Sequence, residues 1–401
     1  MLKFYNLFVL LTLVLFYFGP ILWWDQTNPY IGLYVGACMV IFNAGAYFGT
    51  KSGTVKIKPF PFPRSNYTAY ALIAIFIILS FLQTFSITQK NPLLLSSYSL
   101  DFGQVYADFG TNLEYRTTGL YESALTILKA IFFPFVLLVF VDRFGRDWIA
   151  VGAIIAPLVI SSLLRGTDKE IFDIMILVGV TAYYRNLLGW RVLLYGSLVP
   201  IFFSLFLVRR MERFNGSLPT CLPDSNACFN YSSSLAKLLG PDAEVLYVFV
   251  VNYLTQGYQA LALTFKFPYD FNFFVGHLPP VKRSLCIASD FLCTLPEYQE
   301  KLLAAGWDTT TKWTSVYPIL ANDFSFWLVP FYFLMLGFVY RRSVTLWTQS
   351  RDTASLAALI LITNFMIFSS ANMQVAISLD WAACFFLIVY IGLLRRAVPA
   401  K

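Results

Sequence analysis

Along this chain, long apolar stretches alternate with short polar loops, and the pattern carries almost no period-two alternation. The apolar stretches fall near 4–24, 30–49, 69–85, 120–141, 148–164, 170–185, 191–208, 323–340, 354–370 and 375–394. Crossing a bilayer takes about 20 predominantly apolar residues, so the pattern predicts about ten transmembrane helices. A single polar insert, Arg209–Asn322, interrupts them. The expected architecture is an all-α polytopic membrane protein. Its segments are helices 1–7 over 1–208, a loop domain over 209–322, and helices 8–10 over 323–401. Composition agrees, with 58% apolar and 13% charged residues. Any chemistry must use a substrate reachable from the bilayer or its surface, which excludes most soluble enzymes.

Orientation follows from the short basic loops, which concentrate on the cytoplasmic side. With the N-terminus inside, Lys51, Lys56, Lys58, Arg64, Arg143, Arg146, Arg185, Arg191, Arg341, Arg342, Arg351, Arg395, Arg396 and Lys401 all fall on that side. Both termini are then cytoplasmic and the insert lies outside. Val245–Phe265 is apolar enough to form a further span, but it carries Asn252, Thr255, Gln256 and Gln259. Counting it would place Arg341, Arg342 and Arg351 outside. It is expected instead to lie on, or dip into, the outer membrane–water boundary. The first stretch follows Lys3 like a signal peptide, yet no small-residue cleavage site follows it, and Trp23-Trp24 are expected as interfacial anchors.

Charge and cysteine usage refine this reading. The net charge of +7 requires no nucleic-acid partner, because many of the cations are topogenic and no basic groove interleaved with aromatics is visible. Cys38 and Cys384 sit alone in spans and are expected to pack there. Cys221 and Cys228, then Cys286 and Cys293, lie in the insert. Two local loops are the simplest of the three pairings, and disulfides suit an oxidising compartment such as a periplasm. Neither pair has the spacing or the His partners of a zinc site.

Candidate chemistry gathers at outer helix ends. Arg165 and Lys169 flank the turn Arg165–Glu170, and Arg209, Arg210 and Arg213 begin the insert. A guanidinium donates two parallel hydrogen bonds to phosphate oxygens, so these cations are candidates for a pyrophosphate clamp. The plainer alternative is that they snorkel to headgroups while Asp168 and Glu170 neutralise their neighbours. His277, the single histidine of the chain, is a candidate general base or a satisfied loop residue. Asp323 is a candidate catalytic carboxylate or an N-terminal cap of the eighth span. Tyr253, Gln256 and Tyr258 are candidates for sugar contacts. Lys129 and Asp380, inside spans, are expected to pair within the bundle or to serve as structural polar contacts. No phosphate-binding glycine loop, dinucleotide fingerprint or metal-ligand cluster is visible, so neither cofactor nor metal is expected.

The Arg165-Gly166 turn, the large insert, Tyr253–Tyr258 (Tyr-Leu-Thr-Gln-Gly-Tyr) and Tyr317–Phe324 (Tyr-Pro-Ile-Leu-Ala-Asn-Asp-Phe) resemble the Wzy-type O-antigen polymerases. The resemblance implies a glycosyltransferase-C-like fold in the bacterial inner membrane, with the insert periplasmic. The implied reaction transfers a growing chain from undecaprenyl pyrophosphate to the non-reducing end of a new lipid-linked repeat unit. Membrane lipids and lipid-linked oligosaccharide are the implied partners, and the resemblance admits a polysaccharide chain-length regulator beside them. Arg165 and one of Arg209, Arg210 and Arg213 match the family's functional arginines best. The paired Arg-containing outer-loop motif described for some members is not present. Two rival readings are an O-antigen ligase, which passes the chain to lipid A–core, and a transporter of lipid-linked oligosaccharide.

Overall fold

The computed structural model describes residues 1–51, 65–97, 105, 120–167, 169–187, 221, 227–230, 232–240, 250–278, 282, 285, 291, 294–309, 312–371 and 378–390. The described residues are mostly helical. Six helices are long and apolar enough to cross a membrane, which marks a membrane-embedded all-α protein. They are Pro29–Thr50, Asn66–Thr88, Tyr121–Arg143, Trp148–Arg165, Val316–Ser350 and Thr353–Ser370. The predicted stretch 191–208 lies outside the described residues.

In chain order we label α1 (Leu2–Phe18), β1 (Ile21–Leu22), α2 (Pro29–Lys51), α3 (Asn66–Thr88), α4 (Leu120–Arg143), α5 (Trp148–Arg165) and α6 (Lys169–Tyr184). There follow β2 (Cys228–Phe229), α7 (Ser234–Leu239), α8 (Asn252–Thr264), α9 (Tyr298–Ala304), α10 (Val316–Ser350), α11 (Thr353–Ile367) and α12 (Leu379–Cys384). The helices group into two discontinuous units, one of residues 1–54, 218–342 and 362–378, the other of 55–217, 343–361 and 379–401. Residues 218–322 of the insert therefore group with α1 and α2.

In the first unit, α1 stops at Phe18 rather than running to the expected residue 24. Gly19 is extended, as a residue preceding Pro20 prefers, and the chain turns into β1. That strand pairs antiparallel with β2, Ile21 opposite Phe229 and Leu22 opposite Cys228, beside a Cys221–Cys228 disulfide. Cys286 and Cys293 lie outside the described residues. Closing so short a loop contributes about 2 kcal/mol. Reduction is therefore expected to speed hydrogen exchange at residues 227–230 while the spans stay protected. Unchanged exchange there would remove the disulfide from this account. Trp23 is buried between Phe16 and Trp307 rather than anchored at an interface.

The centre of this unit is α8. Every position from Thr255 to Thr264 is buried by the protein, so its polar residues do not line an exposed face. Those residues make internal bonds instead. Gln259 exchanges hydrogen bonds with the backbone and carboxylate of Asp25, at 3.0 and 2.9 Å, and Lys266 pairs with the same carboxylate at 3.1 Å. The backbones of α2 and α10 meet closely, with Gly45 facing the Leu334 carbonyl and Gly337 facing the Phe42 carbonyl. Small residues permit such approaches between membrane helices.

The second unit packs α3, α4 and α12 through Phe76, Phe133 and Trp381. Lys129 and Asp380 pair at 2.7 Å, with Gln83 accepting from Lys129 at 2.9 Å, as charges at membrane depth require. Arg185 closes the C-terminal end of α4 by donating to the carbonyls of Val141, Asp142 and Phe144. Asp147 caps α5, accepting from the Ala150 N–H at 3.1 Å and from Tyr70 Oη at 2.7 Å. The Ala150 bond, then the Tyr70 bond, holds its carboxyl below the ordinary value. The cap therefore contributes stability above pH 3.8 that is lost as pH falls through the lowered folded value. Asp147→Ala is expected to lower the melting temperature near neutral pH, and the gap to wild type should close in strong acid. A gap independent of pH would contradict the cap.

Candidate functional site

His277 and Asp323 are 46 residues apart in sequence, and the first unit brings them together. His277 Nδ1 lies 2.6 Å from Asp323 Oδ2, and the His277 backbone N–H donates to the same oxygen at 2.7 Å. The carboxylate is thus spent on the histidine and does not cap a helix. Both residues are buried, at 8% and 3% exposure. Asp323 Oδ1 is buried without a hydrogen-bond partner among the described residues.

The surrounding chain is built to hold this pair. Asn322, beside Asp323, accepts from the Tyr298 N–H at 2.9 Å and donates to the Gly276 carbonyl at 3.3 Å. Its own carbonyl accepts from the Asn272 backbone N–H at 3.2 Å. Tyr269 donates to the Asp323 carbonyl at 2.7 Å. Only glycine fits at 276, because a Cβ there would lie 2.5 Å from Asn272 Cβ and 2.8 Å from Asn322 Cβ. Phe273, Phe274 and Ser325 all adopt positive φ, at 50°, 61° and 51°. Left-handed backbone at non-glycine positions costs free energy and gathers where geometry is imposed for function. Ser325 breaks α10 directly after the Asp323-Phe324 pair.

Two phenols lie close to the pair. Burial, then the Asp270 charge, pushes the Tyr298 phenol up to about 12, and burial raises Tyr269 in the same direction. Both phenols therefore stay protonated near neutral pH; Tyr269 is a donor to the Asp323 carbonyl, whereas the Tyr298 hydroxyl is buried without a hydrogen-bond partner among the described residues. With Nδ1–H directed at the carboxylate, Nε2 is the ring atom left to accept a proton, and among the described residues nothing bonds to it. Phe324 flanks the ring, with centroids 5.0 Å apart. Two lysines nearby are already paired, Lys282 with Glu297 at 2.9 Å and Lys301 with Asp270. Among the described residues no group of three His, Cys, Asp or Glu side chains gathers to hold a metal.

The other candidates fare differently. Arg165 ends α5, where its guanidinium bonds Glu170 and the Ser161 carbonyl, so a phosphate must compete with Glu170 for it. Lys169 begins α6; Arg209, Arg210, Arg213 and Asp168 lie outside the described residues. Gln256 is buried and accepts from the Trp313 N–H at 3.2 Å. Tyr258 is fully buried, its hydroxyl 2.8 Å from Thr12 Oγ1 and its ring edge-on to Phe16. No face of that ring is open to stack on a sugar, so its place here is in the core. Tyr253 is half-buried on the same helix. Asn322, Asn272, Tyr269 and Gly276 were not singled out by sequence. The one signal for them was adjacency, Gly276 preceding His277 and Asn322 preceding Asp323.

Comparisons with protein-family models, curated proteins and solved structures returned no match.

Proposed function

We propose that the chain is a membrane glycosyltransferase that polymerises undecaprenyl-pyrophosphate-linked O-antigen repeat units, and that His277 is its general base. The observation that carries this reading is the buried His277–Asp323 pair, in which a carboxylate fixes one ring nitrogen and leaves the other to take a proton. That arrangement suits activation of a hydroxyl. Nε2 takes the proton of the acceptor's non-reducing sugar hydroxyl, whose oxygen attacks the donor's anomeric carbon. The bond from that carbon to the pyrophosphate oxygen breaks, and undecaprenyl pyrophosphate leaves with the electron pair. Asp323 stabilises the imidazolium, which returns its proton to water.

Charge grows on the pyrophosphate in the transition state, and the proposal assigns Arg165, Lys169 and the Arg209–Arg213 cluster to stabilise it. In the same proposal about ten spans cross the bacterial inner membrane in a glycosyltransferase-C-like arrangement. Both termini are then cytoplasmic and the 209–322 insert periplasmic. A ligase acting on lipid A–core is the second reading, favoured by the same observation, since ligases rely on a histidine in a large outer loop.

The acceptor separates the two. Purified protein in liposomes with lipid-linked repeat units alone is expected to give a ladder of chain lengths. Product formed only after lipid A–core is added would replace the polymerase reading by the ligase. Arg165→Ala is expected to abolish the long products while membrane insertion is retained, and a normal ladder from that variant would remove Arg165 from the clamp.

A further inference from the structure

The turn that delivers His277 also displays an aromatic surface the proposed reaction does not use. Phe271, Phe273 and Phe274 are exposed, the last two at 52% and 62%, and Phe291 joins them at 57%. Their rings touch one another, Phe271 with Phe273 at 5.2 Å, Phe271 with Phe274 at 5.1 Å, and Phe273 with Phe291 at 5.5 Å. The left-handed backbone at Phe273 and Phe274 holds this outward presentation at a cost. Contiguous apolar surface on this scale marks an interaction site.

What covers it follows from its continuity with α10. Phe274 meets Phe324, and Phe324 in turn flanks His277. Just beyond the Ser325 break, Trp327, Leu328, Phe331 and Met335 form an exposed stripe along a helix apolar enough to span a membrane. Lipid is the natural neighbour of that stripe. Arg341 and Arg342 set one polar boundary of the span. From Arg341 back to Ser325 is about 24 Å at 1.5 Å per residue, close to the hydrocarbon thickness of about 30 Å. The break, the phenylalanine cluster and the dyad therefore fall together at the opposite boundary, where aromatic belts lie.

We propose that Phe271, Phe273, Phe274 and Phe291 form a wedge seated in bilayer lipid at that membrane–water boundary, fixing His277 and Asp323 at headgroup depth. The occupant is the lipid itself, and the inference rests on the membrane-embedded fold, not on the polymerase reading. A lipid-linked substrate would then meet the base without leaving the bilayer surface.

The test uses the full chain carrying a bimane label on Phe274→Cys, reconstituted in phosphatidylethanolamine–phosphatidylglycerol vesicles. Wild-type chain treated identically sets the background from native cysteines. Phospholipid brominated high on its acyl chains is expected to remove most of the label's emission, while aqueous iodide leaves it nearly unchanged. A label at the exposed Glu300 reports the strength of iodide quenching in water. Iodide quenching at Phe274 as strong as at Glu300 would overturn the wedge. Shielding from both quenchers would overturn it as well, because protein rather than lipid would then cover the patch. A second label on Phe291→Cys repeats the measurement should the first substitution disturb the turn.

Discussion

His277→Gln is expected to lower the rate of glycosyl transfer by about 10²- to 10⁴-fold, the usual worth of a positioned acid–base group. Glutamine is the informative replacement, because it is close to histidine in size and takes no proton near neutral pH, while the backbone N–H at 277 still donates to Asp323 Oδ2. Removing one member of a buried pair outright costs about 3–5 kcal/mol, which would confuse lost chemistry with lost structure. Asp323→Asn is expected to fall in the same range for a different reason. The amide that replaces Oδ2 presents either an N–H or a weaker acceptor to Nδ1, so the ring loses its enforced tautomer and the stabilisation of its charged form. Initial rates of chain extension, read beside the melting temperature of each variant, check both. Wild-type turnover in His277→Gln would remove the base from the mechanism.

The second large effect is structural. Gly337→Val is expected to destabilise the first unit by about 3 kcal/mol or more, beyond the ordinary cost of overpacking. A Cβ at 337 would lie 2.0 Å from the Phe42 carbonyl oxygen and 3.0 Å from the Ala46 nitrogen, and backbone cannot rotate away as a side chain does. Gly45→Val should behave alike, its Cβ falling 2.0 Å from the Leu334 oxygen. Gly36→Val is the control, since a Cβ there meets nothing within 4 Å. Thermal unfolding in detergent compares the three, and equal loss in Gly36→Val would show that helix propensity rather than close packing is being measured.

Six of the expected spans were legible because apolar length is a strong and local signal. The expected 30–49 and 69–85 correspond to α2 and α3 within a few residues at each end. Shorter elements depended on details that apolar length averages away. Gly19-Pro20 ends α1 early, and α10 begins at Val316, seven residues before the expected start, because Tyr317–Asn322 is buried by the protein and not by lipid. The partners of the polar residues of α8 were hidden for a related reason. Gln256 and Gln259 find partners on Trp313 and Asp25, distant in sequence, so polarity there reports internal bonds and not an exposed face.

The His277–Asp323 pair was legible residue by residue but not as a constellation. His277 and Asp323 each stood out alone, one as the single imidazole and the other at a helix start. Their pairing depends on a turn shaped by Asn272, Gly276 and Asn322, whose bonds cross from residue 272 to residue 322. Local pattern does not encode such contacts.

The most direct test of the proposed reaction is its stoichiometry. Purified protein in liposomes containing only radiolabelled undecaprenyl-pyrophosphate repeat units should release one undecaprenyl pyrophosphate for each unit added to a chain, and His277→Gln should suppress both together. Repeat units that stay unextended, with no undecaprenyl pyrophosphate released, would contradict the account.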